Sequence, residues 1–161
     1  MLRLFDEFQE ALSGVALRLA CGTRYVDGTA PVLLAAPAWS TSRAQNLFET
    51  VGRTKPAKLR WSKSSYINDT TKHVLHSSNA FNTVCSANGM IIAEMRSVRN
   101  RIAHSNARTR AAFAEVVQRH YGARLNHVSP GMLLISARFS PTLLEQYLAA
   151  CRVILKGCAK A

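Results

Sequence analysis

Apolar residues recur at intervals of three and four along most of this 161-residue chain, and that period restricts what it can fold into. Phe5, Phe8, Leu12, Val15 and Leu19 are spaced three, four, three and four apart, one stripe of an α-helix. Near the other end Leu144, Tyr147, Leu148, Cys151, Ile154, Leu155 and Cys158 repeat the pattern. A helix with such a stripe is stable only when the stripe is covered, so the two ends are expected to pack across each other. The expectation is an all-α bundle of about five helices in one domain spanning 1–161, a length that suffices to bury a core. With 48% hydrophobic and 19% charged residues, the composition excludes a disordered chain.

Between the two stripes the punctuation is local. A first helix over Leu2–Leu19 stops at Cys21-Gly22-Thr23, and Asp27-Gly28-Thr29 reads as a turn. Pro31 to Pro37 encloses VLLAA, equally a strand or a buried connector. Ser40 or Thr41 caps a helix running to Val51, with Ala44, Leu47 and Phe48 on its inner side and Gly52 as its stop. Asn68-Asp69-Thr70 starts a helix in which Val74, Ser78, Phe81 and Cys85 share a side, with HSSNAFN as a break point. Asn88-Gly89 leads into a central helix that ends near Ser105-Asn106 and buries Ile91, Met95, Val98 and Ile102. Arg110–Tyr121 follows and is closed by Gly122. The segment 131–138, with Met132 to Ile135, reads as a short strand or an irregular loop. Ser140-Pro141, a cap followed by a first-turn proline, opens the last helix.

Charge narrows the choice of partner. Subtracting 9 Asp and Glu from 21 Lys and Arg leaves +12, so a polyanion is expected, RNA or another nucleic acid first and an acidic protein or anionic surface after it. Arg96, Arg99, Arg101, Arg108, Arg110, Arg119 and Arg124 face only Glu115 in their stretch, which supplies half of the net charge. A second basic segment, RTKPAKLRWSKSS, carries Lys58, Arg60 and Trp61 and reads either as an arm that tracks phosphates and stacks a base or as a solvated loop. The four cysteines at 21, 85, 151 and 158 have no C-x-x-C spacing and suit a reducing, cytoplasmic setting. The opening MLRLFDEFQEAL has acids inside its apolar run, unlike a signal peptide or membrane span. His73 and His76 are three apart but lack further ligands nearby, so no metal and no cofactor is expected.

The polar residues of the central stretch, MIIAEMRSVRNRIAHSN, are chemically the most specific. Glu94, Arg96, Arg99, Asn100, Arg101 and His104 are assigned to the solvent face and the C-terminal end. An imidazole titrates near working pH and can take a proton from a ribose 2′-hydroxyl. A guanidinium stays charged and can make two hydrogen bonds to one phosphate. Asn100 lies one turn before His104 and is suited to orient the ring. On an ideal helix, however, Arg99 and His104 point about 140° apart. The same residues also serve as ordinary C-terminal caps, where cations meet the negative end of the helix dipole.

The order Arg99-Asn100-x-x-x-His104 resembles the Arg-(four to six residues)-His motif, with a polar residue after the Arg, of the HEPN superfamily. The resemblance implies a small helical domain and a metal-independent endoribonuclease of toxin–antitoxin or defence type. Arg99, Asn100 and His104 would be its catalytic residues, with Arg96, Arg101, Arg108, Arg110, Lys58, Arg60 and Trp61 on the surrounding RNA-binding surface. It also implies a homodimer, in which two motif helices meet across a two-fold axis, and a cognate antitoxin or other acidic protein as regulator. One HEPN subgroup carries a modifiable Tyr two residues after the His; this chain has Asn106 there. The alternatives are a non-catalytic RNA-binding or adaptor domain of the same fold, and an interaction partner that docks an acidic protein.

Overall fold

The computed structural model describes residues 1–160, and those residues form eight helices and no strand. Five helices have ten residues or more: α1 (Leu2–Ala20), α2 (Thr41–Thr50), α5 (Gly89–Ala103), α6 (Ala107–Tyr121) and α8 (Leu143–Ala159). Three are short: α3 (Ser64–Thr71), α4 (Ala80–Ala87) and α7 (Pro130–Leu134). None of them is long and apolar enough to cross a membrane.

The stripe of α1 is buried as Phe5, Phe8, Leu12, Ala16 and Leu19, with Ala16 taking the place expected of Val15. It packs against α2, α5 and α8. On α8 the buried residues are Leu143, Tyr147, Cys151, Ile154 and Cys158. Close packing of α8 on α4 depends on Gly157, where an added Cβ would lie 3.2 Å from the methyls of Val84. Beside it the Cys85 and Cys158 sulfurs are 3.7 Å apart as free thiols, both fully buried. Burial pushes the Cys151 thiol up to about 11, so the cysteines of this helix behave as small hydrophobes.

Several boundaries differ from the periodic reading. The helix expected from Asn68 to Cys85 is two helices: α3 begins earlier, at Ser64, and ends at Thr71, and α4 starts after Asn79, whose side chain bonds to Val32 N–H, Val32 C=O and His76 C=O. That clamp holds the VLLAA segment as a connector: Leu33 and Leu75 form an isolated antiparallel bridge and no strand develops. The segment at 131–138 begins as helix α7, since the Ser129 hydroxyl accepts from Met132 N–H and Pro130 occupies the first turn. Helix α8 starts at Leu143 and not after Ser140, because Thr142 and Glu145 form a reciprocal capping box.

Candidate nucleic-acid interface

Helix α5 lies against α1 on one flank and α6 on the other, and its buried face is Ile92, Glu94, Met95 and Val98. Ile91 is half-buried and Ile102 is exposed, so the stripe is rotated from the expected one and ends a turn earlier. The consequence is that Glu94, expected on the solvent face, is 7% exposed. Its carboxylate collects three donors: His120 Nε2 at 2.7 Å and the Tyr147 hydroxyl at 2.7 Å on Oε1, and Arg119 Nη1 on Oε2. A carboxylate is acceptor-only when ionised, so His120 carries its proton on Nε2 here. Burial alone would raise the Glu94 carboxyl; the hydrogen bonds from His120, Tyr147 and Arg119 outweigh it and hold the group below its ordinary value. Tyr147 is driven upward, first by burial and then by the Glu94 charge. One acid therefore ties α5 to α6 and α8.

The spacing that marks the apolar stripe also passes through Glu94, three residues after Ile91 and four before Val98. That was the available signal. An acid on a buried arc requires donors to meet it, and here they come from Arg119 and His120 on α6 and Tyr147 on α8.

The motif residues sit at the other end of α5. The helix stops at Ala103, earlier than Ser105-Asn106, and His104 is its cap with extended φ −141° and ψ 134°. His104 N–H still bonds to Asn100 C=O at 2.9 Å, while its carbonyl accepts from the Thr109 hydroxyl at 2.7 Å. Asn106 is the N-cap of α6, its side chain accepting from Thr109 N–H at 2.9 Å. Both sides of the connector are thus anchored, and the exposed His104 imidazole projects from a fixed backbone. Because the chain has left the helix, the 140° separation does not apply. Among the described residues the Asn100 amide makes no hydrogen bond to the His104 ring.

Arg99 is turned away from His104. Its Nη2 meets Asp6 Oδ1 on α1 at 3.2 Å, with the Arg99 side chain 28% exposed. Asp6, in the second turn of α1, thus serves a contact between helices. The Arg99 Nε is buried and has no hydrogen-bond partner among the described residues. One chain therefore gathers Arg99, Asn100 and His104 at one helix end without aiming them at one point.

The remaining predicted RNA-binding residues divide between three places. Arg101 and Arg110 line a cleft of about 340 Å³ with Phe113 and Leu125, on the α6 side. Arg108 is exposed in the first turn of α6, where no acid accompanies it. Arg96 and Arg60 meet on the α3 side of α5, over the ring of Tyr66. Lys58 and Trp61 line a second cleft, about 300 Å³, with Leu17 and Glu49. Trp61 is half-buried, edge-on to Phe48 and Phe81 with ring centroids 6.1 and 6.5 Å away. Its ring is part of the core wall, which leaves less of it for stacking a base. The basic segment is folded onto the body as well, since Ala57 N–H bonds to Glu49 C=O.

His76 Nδ1 is 2.7 Å from the Ser78 hydroxyl, and His73 packs beside Gly52. No group of three His, Cys, Asp or Glu side chains is clustered to hold a metal ion among the described residues.

These features define a basic, all-helical protein with a cationic helix end open to solvent. No family model, no curated protein and no solved structure matches the chain.

Proposed function

We propose that this protein is a HEPN-type, metal-independent endoribonuclease, a toxin or defence effector whose site is completed by a second copy of the chain. The observation that carries the reading is the exposure of His104 on an anchored cap, one turn after Asn100 and five residues after Arg99, at the end of a helix that carries further arginines. His104 takes the proton of a ribose 2′-hydroxyl, the 2′-oxygen bonds to phosphorus, and the bond to the 5′-oxygen breaks. The 5′-oxygen receives a proton, leaving a 2′,3′-cyclic phosphate and a 5′-hydroxyl. Arg99 neutralises charge on the phosphate, and Asn100 orients the substrate or the ring.

Dimerisation fits the geometry of the single chain. Arg99 lies toward α1 and His104 lies beyond the end of α5, so a two-fold neighbour offers each set what it lacks. A phosphate reaching this helix end competes with the exposed Asp6 carboxylate for the Arg99 Nη2.

The test is incubation of wild type, Arg99→Ala and His104→Ala with total RNA in EDTA. Wild type is expected to cut, leaving cyclic phosphate ends, and each variant to lose roughly 10²–10⁴-fold in rate. Because His104 is exposed, its removal should change stability by no more than about 0.5 kcal/mol. Full activity in the His104→Ala protein refutes the assignment.

A second reading keeps RNA as the ligand and removes the cleavage. It is favoured by the Arg99–Asp6 pair, which spends the guanidinium inside the fold. It predicts salt-sensitive RNA binding with no cleaved product from the wild type.

A further inference from the structure

Three cations converge on one aromatic ring beside the candidate site. Arg60 Cζ lies 4.0 Å from the Tyr66 ring centroid, Arg96 Cζ 5.7 Å and Lys63 Nζ 5.9 Å. They come from separate elements: Arg60 from the basic segment before α3, Lys63 from the N-cap of α3, and Arg96 from α5. None of the three is paired with a carboxylate among the described residues. The tyrosine face attracts each cation, but the cations repel one another. Lys63 adds to the excess, because no side-chain oxygen caps α3 and its charge faces the positive end of that helix.

The arrangement is held by the fold. The backbone N–H and C=O of Arg60 both bond to the Thr70 hydroxyl at 3.3 Å, which fixes the segment on α3. Arg96 precedes Arg99 and Asn100 by about one helical turn, roughly 5.4 Å along the axis. An anion seated among these side chains would neutralise the repulsion and lie next to the motif.

We infer that Arg60, Lys63 and Arg96, organised by Tyr66, form a subsite for a backbone phosphate of the RNA nucleotides flanking the scissile bond. The inference rests on RNA being the ligand of the α5 end. Arg60 already occupies a face of the ring, so Tyr66 gathers cations and does not stack a base, and recognition here is independent of sequence.

Binding of a fluorescent 2′-O-methyl oligoribonucleotide, which has no free attacking hydroxyl, measures the subsite apart from cleavage. Anisotropy titrations across a KCl series compare wild type, Arg60→Gln/Arg96→Gln, and a control with the same charge loss on α8, Arg152→Gln/Lys156→Gln. Each phosphate contact adds about 0.7 to the slope of log affinity against log salt, so losing one or two weakens binding roughly 5- to 25-fold at about 0.1 M salt. The expected result is a slope shallower by about 0.7 to 1.4 for the subsite pair only. Tyr66→Leu, which keeps every charge, is expected to weaken binding through scattered cations, with a melting scan confirming the fold. Equal losses in the two charge pairs, or no loss in the subsite pair, overturn the inference. Wild type that binds the methylated strand yet leaves ordinary RNA uncut sinks the nuclease reading alone. Wild type that cuts RNA, with the subsite pair binding normally, sinks the subsite alone; failure of the wild type to bind RNA sinks both.

Discussion

Replacing Glu94 by glutamine keeps the shape of a buried group and removes its charge. In the native protein Glu94 Oε1 accepts from His120 and Tyr147 and Oε2 accepts from Arg119, at 7% exposure. The glutamine oxygen can still receive the first two, but charge-assisted bonds are roughly twice as strong as neutral ones, so about 1–2 kcal/mol is lost there. Its NH₂ faces the Arg119 guanidinium, donor against donor; Arg119 is half exposed and turns to water, which limits that loss to roughly 1 kcal/mol. The sum is about 2–3 kcal/mol, or roughly 4–12 °C in melting temperature for a chain of this size. The pH dependence gives a sharper check. The ordinary glutamate value is 4.5 and the folded value is lower, so the carboxylate's contribution is complete above 4.5 and is lost as pH falls through the folded value. Glutamine has no such proton. Urea denaturation of both proteins should show a constant gap above pH 4.5 that narrows below it. A gap under about 0.5 kcal/mol at neutral pH, or one that does not narrow on acidification, would refute the account of Glu94 as an ionised tie between three helices.

Two further changes test the scaffold around the site. Gly52 has φ +67°, and a Cβ there would lie 2.5 Å from His73 Nδ1, so Gly52→Ala is expected to destabilise by about 2–3 kcal/mol in urea titrations. In a His73→Ala background the clash disappears and about 1–2 kcal/mol should remain from backbone strain; an unchanged penalty would remove the steric part of the explanation. Thr142→Ala breaks the capping box of α8 and is expected to lower stability by about 1 kcal/mol, read as a melting shift of roughly 2–4 °C. A shift near zero would mean that packing of α8, and not its cap, sets where the helix begins.

The amino-acid order alone determined the helical class, the long helices and the charge, because these depend on local spacing and on sums. The stripes of α1 and α8, the Ser40 cap and the Gly122 stop are each written in a few neighbouring residues, and a helix forms at each, although α6 begins at Ala107 and not Arg110, and α8 at Leu143 and not after Ser140. The chemistry at Arg99, Asn100 and His104 was equally legible as residue types, since it follows from an imidazole, an amide and a guanidinium near one helix end. What those side chains meet was not legible. Arg99 meets Asp6 from 93 positions away, Glu94 meets donors from α6 and α8, and Arg60 and Arg96 meet at Tyr66. None of these pairings has a sequence period, because each is set by which helix faces pack together. The exact rotation of α5 against its neighbours made Glu94 a buried tie, left Ile102 in solvent and put His104 on an exposed cap. Hydrophobic spacing limits that rotation to a broad arc; only the packed bundle selects one angle within it, since buried polar groups must also find partners there.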